Sequence, residues 1–319
     1  MKEYPPLEPS ELGHKLGKYF YQYRPAANFL VKDEDAAEFL QSQFSNELRP
    51  FESSKCTYGL WLNVKGKVVG DSIVLCEDAS SFRVLSECSK GDLLAAHMQR
   101  HIIADDVLIE HSDPGYIFEL STEAVEALGL TLPQAGHFTR LEGGTLIKAL
   151  DNRYRLLISS SSGKDAWIAK FMAIGCKDIS EADFGLRRIT AGIPQIPREI
   201  GSTDFPGEGE LERDAISFTK GCYLGQEVVA RMHNIGKAHR RLFVLEGHGT
   251  PPEIPLNLYN SDKKLVGELR SAYKNSGFWR GVAILKTRFA TTGLELQNEN
   301  MDAVVINPLR ENPKNGSIL

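Results

Sequence analysis

The most informative stretch of this chain is the octapeptide Lys220-Gly221-Cys222-Tyr223-Leu224-Gly225-Gln226-Glu227. Glycines flank a thiol here, and because glycine permits positive φ and close backbone approach, we expect Cys222 to be presented at a turn. The ammonium of Lys220, or the N-terminus of a following helix, would raise the thiolate fraction of this cysteine. Tyr223 offers a flat face to a planar ring, and Gln226 offers a paired donor and acceptor. The pattern alone leaves open that Cys222 is a small buried hydrophobe.

The composition is that of an ordinary globular protein. The chain has 319 residues, 42% of them hydrophobic, with a formal net charge of −5. This length predicts about two domains, and the negative charge gives no reason to expect direct nucleic-acid binding. No apolar run approaches the roughly 20 residues that cross a bilayer, so we expect no membrane contact.

Residues 1–10 have neither the apolar centre of a secretory signal nor the Arg-rich face of a mitochondrial leader. We therefore expect a cytoplasmic protein, or one of the mitochondrial matrix if the source is eukaryotic and the chain is processed. The five cysteines are odd in number, and no two lie at a C-x-x-C spacing. This argues against a disulfide framework and against a local metal site, so we expect no permanent metal.

Hydrophobic periodicity predicts strands mixed with helices, without a regular βαβ rhythm, and therefore an α+β class. An amphipathic helix is predicted at 33–49 with Asp33 as its cap, and a capping box at Ser89 before another helix. The serine run at 159–163 reads as a loop. Further strands are predicted at 58–64, 68–75, 107–110, 116–120 and 154–158, and further helices after Ser121 and at 165–174 and 182–189.

The last third of the chain has a different pattern. From 192 to 214 proline and glycine interrupt any periodicity, and a loop of this length inside a compact domain is usually functional or disordered. After it, short strand patterns are separated by Gly, Pro and Asn, which suits a small antiparallel barrel. These strands are predicted at 241–246, 256–259, 264–272, 280–286, 294–297 and 303–306.

The octapeptide resembles the K-G-C-Y-x-G-Q-E signature of YgfZ-type folate-binding proteins, which are related to the glycine-cleavage T-protein and to mitochondrial iron–sulfur assembly factors. Other blocks agree in the expected order, and the resemblance covers nearly the whole chain, from about residue 19 to about 306. The blocks are the F-L-Q-x-Q-x-x-N helix at 39–46, the glycine turn at 66–68, R-x-x-A-G-I-P at 188–194, P-x-E at 206–208 and the glycine strand at 266–268.

The resemblance implies two α+β lobes around a central channel for tetrahydrofolate, followed by a C-terminal antiparallel β-barrel. We expect the lobes at 1–115 and 116–236 and the barrel at 237–319. The implied function is a folate-binding accessory role in assembling or repairing iron–sulfur enzymes, including some tRNA-modifying radical enzymes, which would be its clients. Cys222 is then the functional thiol, in or near the folate channel and with Lys220 beside it, and the expected folate contacts are Tyr223, Gln226, Arg188 and Asp71.

Departures from the T-protein pattern weaken the case for aminomethyl transfer. Gly70-Asp71 stands where T-proteins have an Asp-Asp pair, and Phe184-Gly185 replaces an Arg-Asp pair. Proton movement at the transferred carbon needs a placed acid or base. A folate-dependent aminomethyltransferase or demethylase stays open as an alternative, as does a scaffold that lost the ligand. Asp71 as a strand-end cap and Arg188 in an ordinary salt bridge also stay open.

Overall fold

The computed structural model describes residues 17–149, 153–236, 238–298 and 301–310. These residues form three β-sheets with short helices packed against them, which confirms the predicted α+β class. Within these ranges no helix is both long and apolar enough to cross a bilayer. Residues 1–10 and Lys237, at the predicted domain boundary, lie outside the described residues.

The first sheet is antiparallel, with strand order β3-β4-β5-β2-β6. Its strands are β2 (Ala27–Lys32), β3 (Cys56–Leu62), β4 (Val68–Asp78), β5 (Ser81–Ser86) and β6 (Leu108–His111). Helices α1 (Ala36–Gln43) and α2 (Gly91–Gln99) bury Phe39, Leu40, Leu94 and Met98 in the same core as Phe29 and Trp61. The predicted hairpin of β3 and β4 is confirmed, because Tyr58 pairs with Ile73 across it.

The second sheet has the order β11-β1-β7-β10-β9-β8. Its strands are β1 (Tyr19–Tyr23), β7 (Tyr116–Leu120), β8 (His137–Leu141), β9 (Gly144–Lys148), β10 (Tyr154–Ile158) and the two-residue β11 (Lys177–Asp178). Helices α3 (Thr122–Ala127) and α4 (Ser161–Ala173) complete its core around Phe20, Phe118 and Phe171. Strand β1 thus joins a sheet built mainly from later residues, and the expected boundary at 115/116 stays a prediction.

The third sheet closes on itself as a six-stranded antiparallel barrel, as predicted. Its strands are β12 (Arg240–His248), β13 (Leu256–Tyr259), β14 (Leu265–Asn275), β15 (Phe278–Lys286), β16 (Glu295–Asn298) and β17 (Met301–Pro308). Closure comes from pairing of β12 with both β15 and β17. The barrel core contains Phe243, Leu258 and Trp279.

Several predicted helix ends were wrong for local reasons. Helix α1 begins after Asp35 rather than at Asp33, which has φ 88°, and it ends at Gln43. Helix α4 begins inside the serine run, because the Ser160 hydroxyl accepts the Gly163 N–H. The predicted capping box at Ser89 is absent from α2, whose N-cap is Lys90.

The segment predicted as a patternless loop joins the first sheet to the barrel. It follows α5 (Glu181–Thr190) and contains a 3-10 turn at Pro206–Gly209 and the short helix α6 (Glu212–Ala215). Asp204 accepts hydrogen bonds from Arg240 and Arg270 of the barrel, and its backbone carbonyl accepts the Val68 N–H of β4. Glu208 forms a further ion pair with Arg240 at 2.8 Å. These bonds fix the hairpin against the barrel.

The octapeptide docks onto the C-terminal end of α1. The Lys220 ammonium donates to the carbonyls of Gln41 at 2.7 Å, Phe44 at 2.7 Å and Asn46 at 2.8 Å. The Ser42 carbonyl accepts the Leu224 N–H at 3.0 Å. Carbonyls in the last turn of a helix lack partners within the helix, and the helix dipole favours a cation there. The octapeptide therefore caps α1.

Two glycines place the octapeptide against the β3–β4 turn. Gly225 has φ 83°, and a Cβ there would lie 2.7 Å from the Asn63 carbonyl oxygen. Gly66 of the turn has φ 69°, and its Cβ would lie 3.0 Å from Val228 in helix α7 (Gln226–Ile235). Only glycine satisfies both the positive φ and the close approach.

The two glycines of the octapeptide provide a matched test of this docking. We expect Gly225→Ala to lower the free energy of unfolding by about 2–3 kcal/mol, because it adds both left-handed strain and a backbone contact. Gly221→Ala should change it by less than about 0.5 kcal/mol, since a Cβ at Gly221 meets no atom within 4 Å. Urea denaturation of both variants measures the difference. Equal stabilities would show that the octapeptide does not need this contact.

Candidate functional site

A cavity lies where the first sheet, the 192–214 segment and the end of the barrel meet. A second cavity shares Tyr58, Asp71, Glu87 and Arg153 with it. The lining residues of the first cavity are Tyr58, Asp71, Glu87, Cys88, Arg153, Arg188, Ile193, Pro194, Gln195, Ile196, Leu211, Asp214 and Arg310.

Asp71 is held in both cavities by three hydroxyl groups. Its Oδ1 accepts from Ser89 at 2.7 Å and Ser86 at 3.1 Å, and its Oδ2 accepts from Tyr58 at 3.1 Å. Burial raises the pKa of Asp71 to about 6, and the three hydroxyl donors oppose that rise. Asp71 lies within β4 and caps no strand end. It is an oriented acceptor that can also be protonated slightly below neutral pH.

The departures from the T-protein pattern have packing counterparts. A Cβ at Gly70 would lie 2.9 Å from both Ser89 and Leu94, so a second carboxylate does not fit beside Asp71. Phe184 stacks on Tyr21 with ring centroids 4.4 Å apart. A Cβ at Gly185 would lie 2.4 Å from the Tyr273 ring of the barrel. At positions 70, 184 and 185, where the T-protein pattern has charged residues, this chain therefore has small or aromatic residues in close packing contacts.

The sequence patterns missed three polar residues of the cavity wall. The Gln195 amide donates to the Cys88 sulfur at 3.3 Å, and the Cys88 thiol donates to Glu87 at 3.9 Å. Burial raises the pKa of Cys88 well above its ordinary value, and the carboxylates of Glu87 and Asp71 raise it further. The sequence offered one indication of Gln195, because this residue directly follows the R-x-x-A-G-I-P block.

Arg188 lines the cavity, but its guanidinium is already paired. It donates to both oxygens of Glu199, at 2.8 and 2.6 Å, and both side chains are almost fully buried. Burial alone would lower the pKa of Arg188, and the Glu199 carboxylate raises it above its ordinary value. The Glu199 carboxylate also accepts from Ser271 of the barrel. The salt bridge that the sequence left open is present, and a folate contact by Arg188 stays a prediction.

The octapeptide residues lie apart from the lining of these cavities. Cys222 is exposed. Lys220 is 6% exposed and uses three N–H donors on carbonyls, while burial lowers its pKa to about 8. These hydrogen bonds hold the octapeptide in position against α1. The expected role of Lys220 beside the reactive thiol stays a prediction.

Tyr223 and Gln226 have internal contacts. The Tyr223 ring packs in the core with Leu60 and Val229, and burial raises its pKa to about 12. Its hydroxyl has no hydrogen-bond partner among the described residues. The Gln226 side-chain oxygen accepts the Tyr223 N–H at 3.4 Å. Their folate contacts stay predictions.

In the described ranges no three His, Cys, Asp or Glu residues converge as metal ligands.

The carboxylate of Asp71 should make stability depend on pH. Its pKa of about 6 in the fold exceeds its ordinary value of 3.8, so the folded protein binds the proton more tightly than the unfolded chain. The free energy of unfolding should therefore fall as pH rises from 4 to 6. Asp71→Asn removes this dependence. The free energy of unfolding of the variant minus that of wild type should therefore increase by about 2 kcal/mol as pH rises from 4 to 7.

Urea denaturation of both proteins at several pH values between 4 and 7 measures this difference. Asp92→Asn, at an exposed position of α2, is the matched control and should show the wild-type pH dependence. A constant difference between Asp71→Asn and wild type across this range would contradict the raised pKa.

The GCVT N-terminal domain family matches residues 21–136, which include Asp71. The chain is 26% identical over 281 residues to "Iron-sulfur cluster assembly factor IBA57 homolog, mitochondrial" of Neurospora crassa, covering 80% of this chain. It is 24% identical over 215 residues to "tRNA-modifying protein YgfZ" of Vibrio atlanticus, covering 67% of this chain. The matches span 61% and 65% of those two relatives.

A solved structure has the same fold. The glycine cleavage system aminomethyltransferase T from Bartonella henselae superposes with a TM-score of 0.76. The match covers 92% of this chain and 87% of that protein, at 12% sequence identity. At this identity the similarity establishes the T-protein-like fold alone.

Proposed function

We propose, from the premise that this chain is a homologue of YgfZ and IBA57 proteins and carries a GCVT N-terminal domain, that it binds tetrahydrofolate and supports assembly or repair of iron–sulfur proteins. Asp71 in the cavity carries the folate part of this proposal. The names of the relatives support the iron–sulfur part and extend it to tRNA-modifying clients.

The cavity residues fit a reduced pterin. Such a ring presents several N–H donors along its edges, and the cavity wall supplies acceptors at Asp71, Glu87 and Gln195. The hydroxyl groups around Asp71 fix its carboxylate before a ligand arrives, which lowers the cost of binding. Tyr58 adds an aromatic wall. When bound, the folate would supply one-carbon chemistry, and Asp71 would hold an N–H of the ring.

Cys222 would act outside this cavity. It is exposed on a loop that is fixed to α1 through Lys220 and to the β3–β4 turn through Gly225. An exposed thiol on a fixed loop is accessible to a client protein or to the cluster that the client carries. We therefore propose that the folate site and the working thiol occupy different places in one fold.

An aminomethyltransferase is the second candidate, and one observation favours it. Asp71 has a pKa of about 6 and faces the cavity, so it could move a proton at the transferred carbon near neutral pH. The glycine at position 70 argues against it, since the second carboxylate of T-proteins has no room.

Folate binding is the first test. We expect tetrahydrofolate, added under anaerobic conditions, to change Tyr/Trp fluorescence saturably, and Asp71→Asn to raise Kd about tenfold because an oriented acceptor is lost. Asp92→Asn should bind like wild type. If wild type shows no saturable response by fluorescence or calorimetry, neither candidate function holds.

The thiol is tested separately in cells that lack their own copy of the protein. We expect Cys222→Ala to abolish support of iron–sulfur enzymes while folding and tetrahydrofolate affinity stay at wild-type values, because Cys222 lies outside the cavity lining. Cys176→Ala, at a buried cysteine of the second sheet's core, is the matched control and should complement. Normal complementation by Cys222→Ala would contradict the proposed role.

Turnover separates the two candidates. An aminomethylated carrier protein is offered with tetrahydrofolate, and methylene-tetrahydrofolate is measured. Formation that survives Cys222→Ala and is lost in Asp71→Asn would establish the transferase instead. We expect no such formation.

A further inference from the structure

We propose that Gln195 selects the heterocycle in the cavity: its side-chain oxygen accepts an N–H from the ring, and Cys88 holds the amide in the orientation that makes this possible. The inference rests on the proposed folate site. It adds a specificity residue and a positioning residue to that site.

Gln195 has a fixed backbone and an unused acceptor. Its backbone N–H donates to Glu199 at 2.8 Å, and its carbonyl accepts the Glu199 N–H at 2.8 Å. Glu199 is itself fixed by Arg188. The Gln195 Oε1 is shielded from solvent and has no hydrogen-bond partner among the described residues. A buried acceptor without a partner costs about 1–3 kcal/mol, so a group in the cavity is expected to donate to it.

Cys88 determines which end of the amide is free. Burial and the neighbouring carboxylates raise the pKa of this thiol, so it carries its proton at neutral pH. The S–H donates to Glu87 at 3.9 Å, which leaves the sulfur to accept an N–H from Gln195 at 3.3 Å. With the NH₂ group engaged by sulfur, the oxygen is the end that remains for a ligand.

The surroundings define the chemistry of the ligand. Gln195, Asp71 and Glu87 line the same cavity, and each carries a side-chain oxygen that can accept a hydrogen bond. The cavity arginines are paired: Arg153 contacts Glu87 at 3.4 Å, Arg188 is bound to Glu199, and Arg310 contacts Asp214 at 2.8 Å. This wall suits a planar heterocycle with several N–H donors and disfavours a carboxylate. Gln195 would therefore contact the ring of a folate and not its glutamate.

The test uses two probes, tetrahydrofolate and 6-methyltetrahydropterin, which keeps the ring and lacks the benzoylglutamate tail. Gln195→Met keeps the length of the side chain and removes the acceptor. We expect Kd to rise about tenfold for both probes, since the lost contact is to the ring. Gln99→Met, at an exposed position at the end of α2, is the matched control and should leave both values unchanged.

The outcomes separate this inference from the function on which it rests. If wild type binds neither probe, the proposed function and the inference fail together. If wild type binds and Gln195→Met stays within twofold, the inference alone is overturned. A loss confined to tetrahydrofolate would also overturn it, because the contact would then be to the tail. Thermal unfolding checks that each variant is folded.

The positioning role of Cys88 has its own readout. Cys88→Ala releases the amide and should raise Kd for both probes about threefold to fivefold, whereas Cys88→Ser keeps a donor and an acceptor and should bind like wild type. The double variant with Gln195→Met should be no weaker than Gln195→Met alone, because Cys88 acts through Gln195. Equal affinities of the serine and alanine variants, or additive losses in the double variant, would overturn the orienting role.

Discussion

The Lys220 ammonium joins two parts of the chain that are about 175 positions apart, and the geometry of the octapeptide depends on it. It donates to the carbonyl of Gln41 in the last turn of α1 and to the carbonyls of Phe44 and Asn46 just after the helix. A buried ammonium is costly unless its donors are used, so the loop is stable only in this docked position. The F-L-Q-x-Q-x-x-N helix and the K-G-C-Y-x-G-Q-E octapeptide are therefore two halves of one contact. Cys222 is fixed in space because its neighbour two residues earlier is fixed.

The polar cavity and the exposed thiol place different demands on the fold. Asp71 is kept in a site where burial disfavours its charge, and Ser86, Ser89 and Tyr58 only partly offset this. A residue that lowers the stability of the fold in this way is commonly found at a functional site. Cys222 needs no buried environment and is instead displayed on a loop held by glycine contacts. A substitution in the cavity around Asp71 should leave the Cys222 loop in place, and a substitution of Cys222 should leave the cavity intact. Folate binding and support of client enzymes are therefore separable in the proposed function.

Repeating patterns in the sequence predicted much of the fold. The features that these patterns did not predict depend on single contacts between residues that are distant in the chain. The β3–β4 hairpin, β7, β10 and the barrel follow from alternation and turn residues, which are local properties. Asp71 and Arg188 were recognised as candidate site residues, but no local rule could show that Arg188 is bound by Glu199. Ser89 has the pattern of a helix cap, yet its hydroxyl oxygen accepts the Asp71 N–H, and its O–H donates to the Asp71 carboxylate. The Gln195–Cys88 contact spans 107 positions, and the inward direction of Tyr223 follows from packing at one turn.

In the proposed function the folate ring binds against Asp71 and Gln195, in a cavity that Cys222 does not line. A crystal structure of the protein with tetrahydrofolate bound tests this most directly. We predict density for the pteridine within hydrogen-bond distance of the Asp71 carboxylate and the Gln195 side-chain oxygen, with the Cys222 sulfur out of contact with the ring. A pteridine bound against Cys222, with the cavity around Asp71 holding only water, would contradict the account.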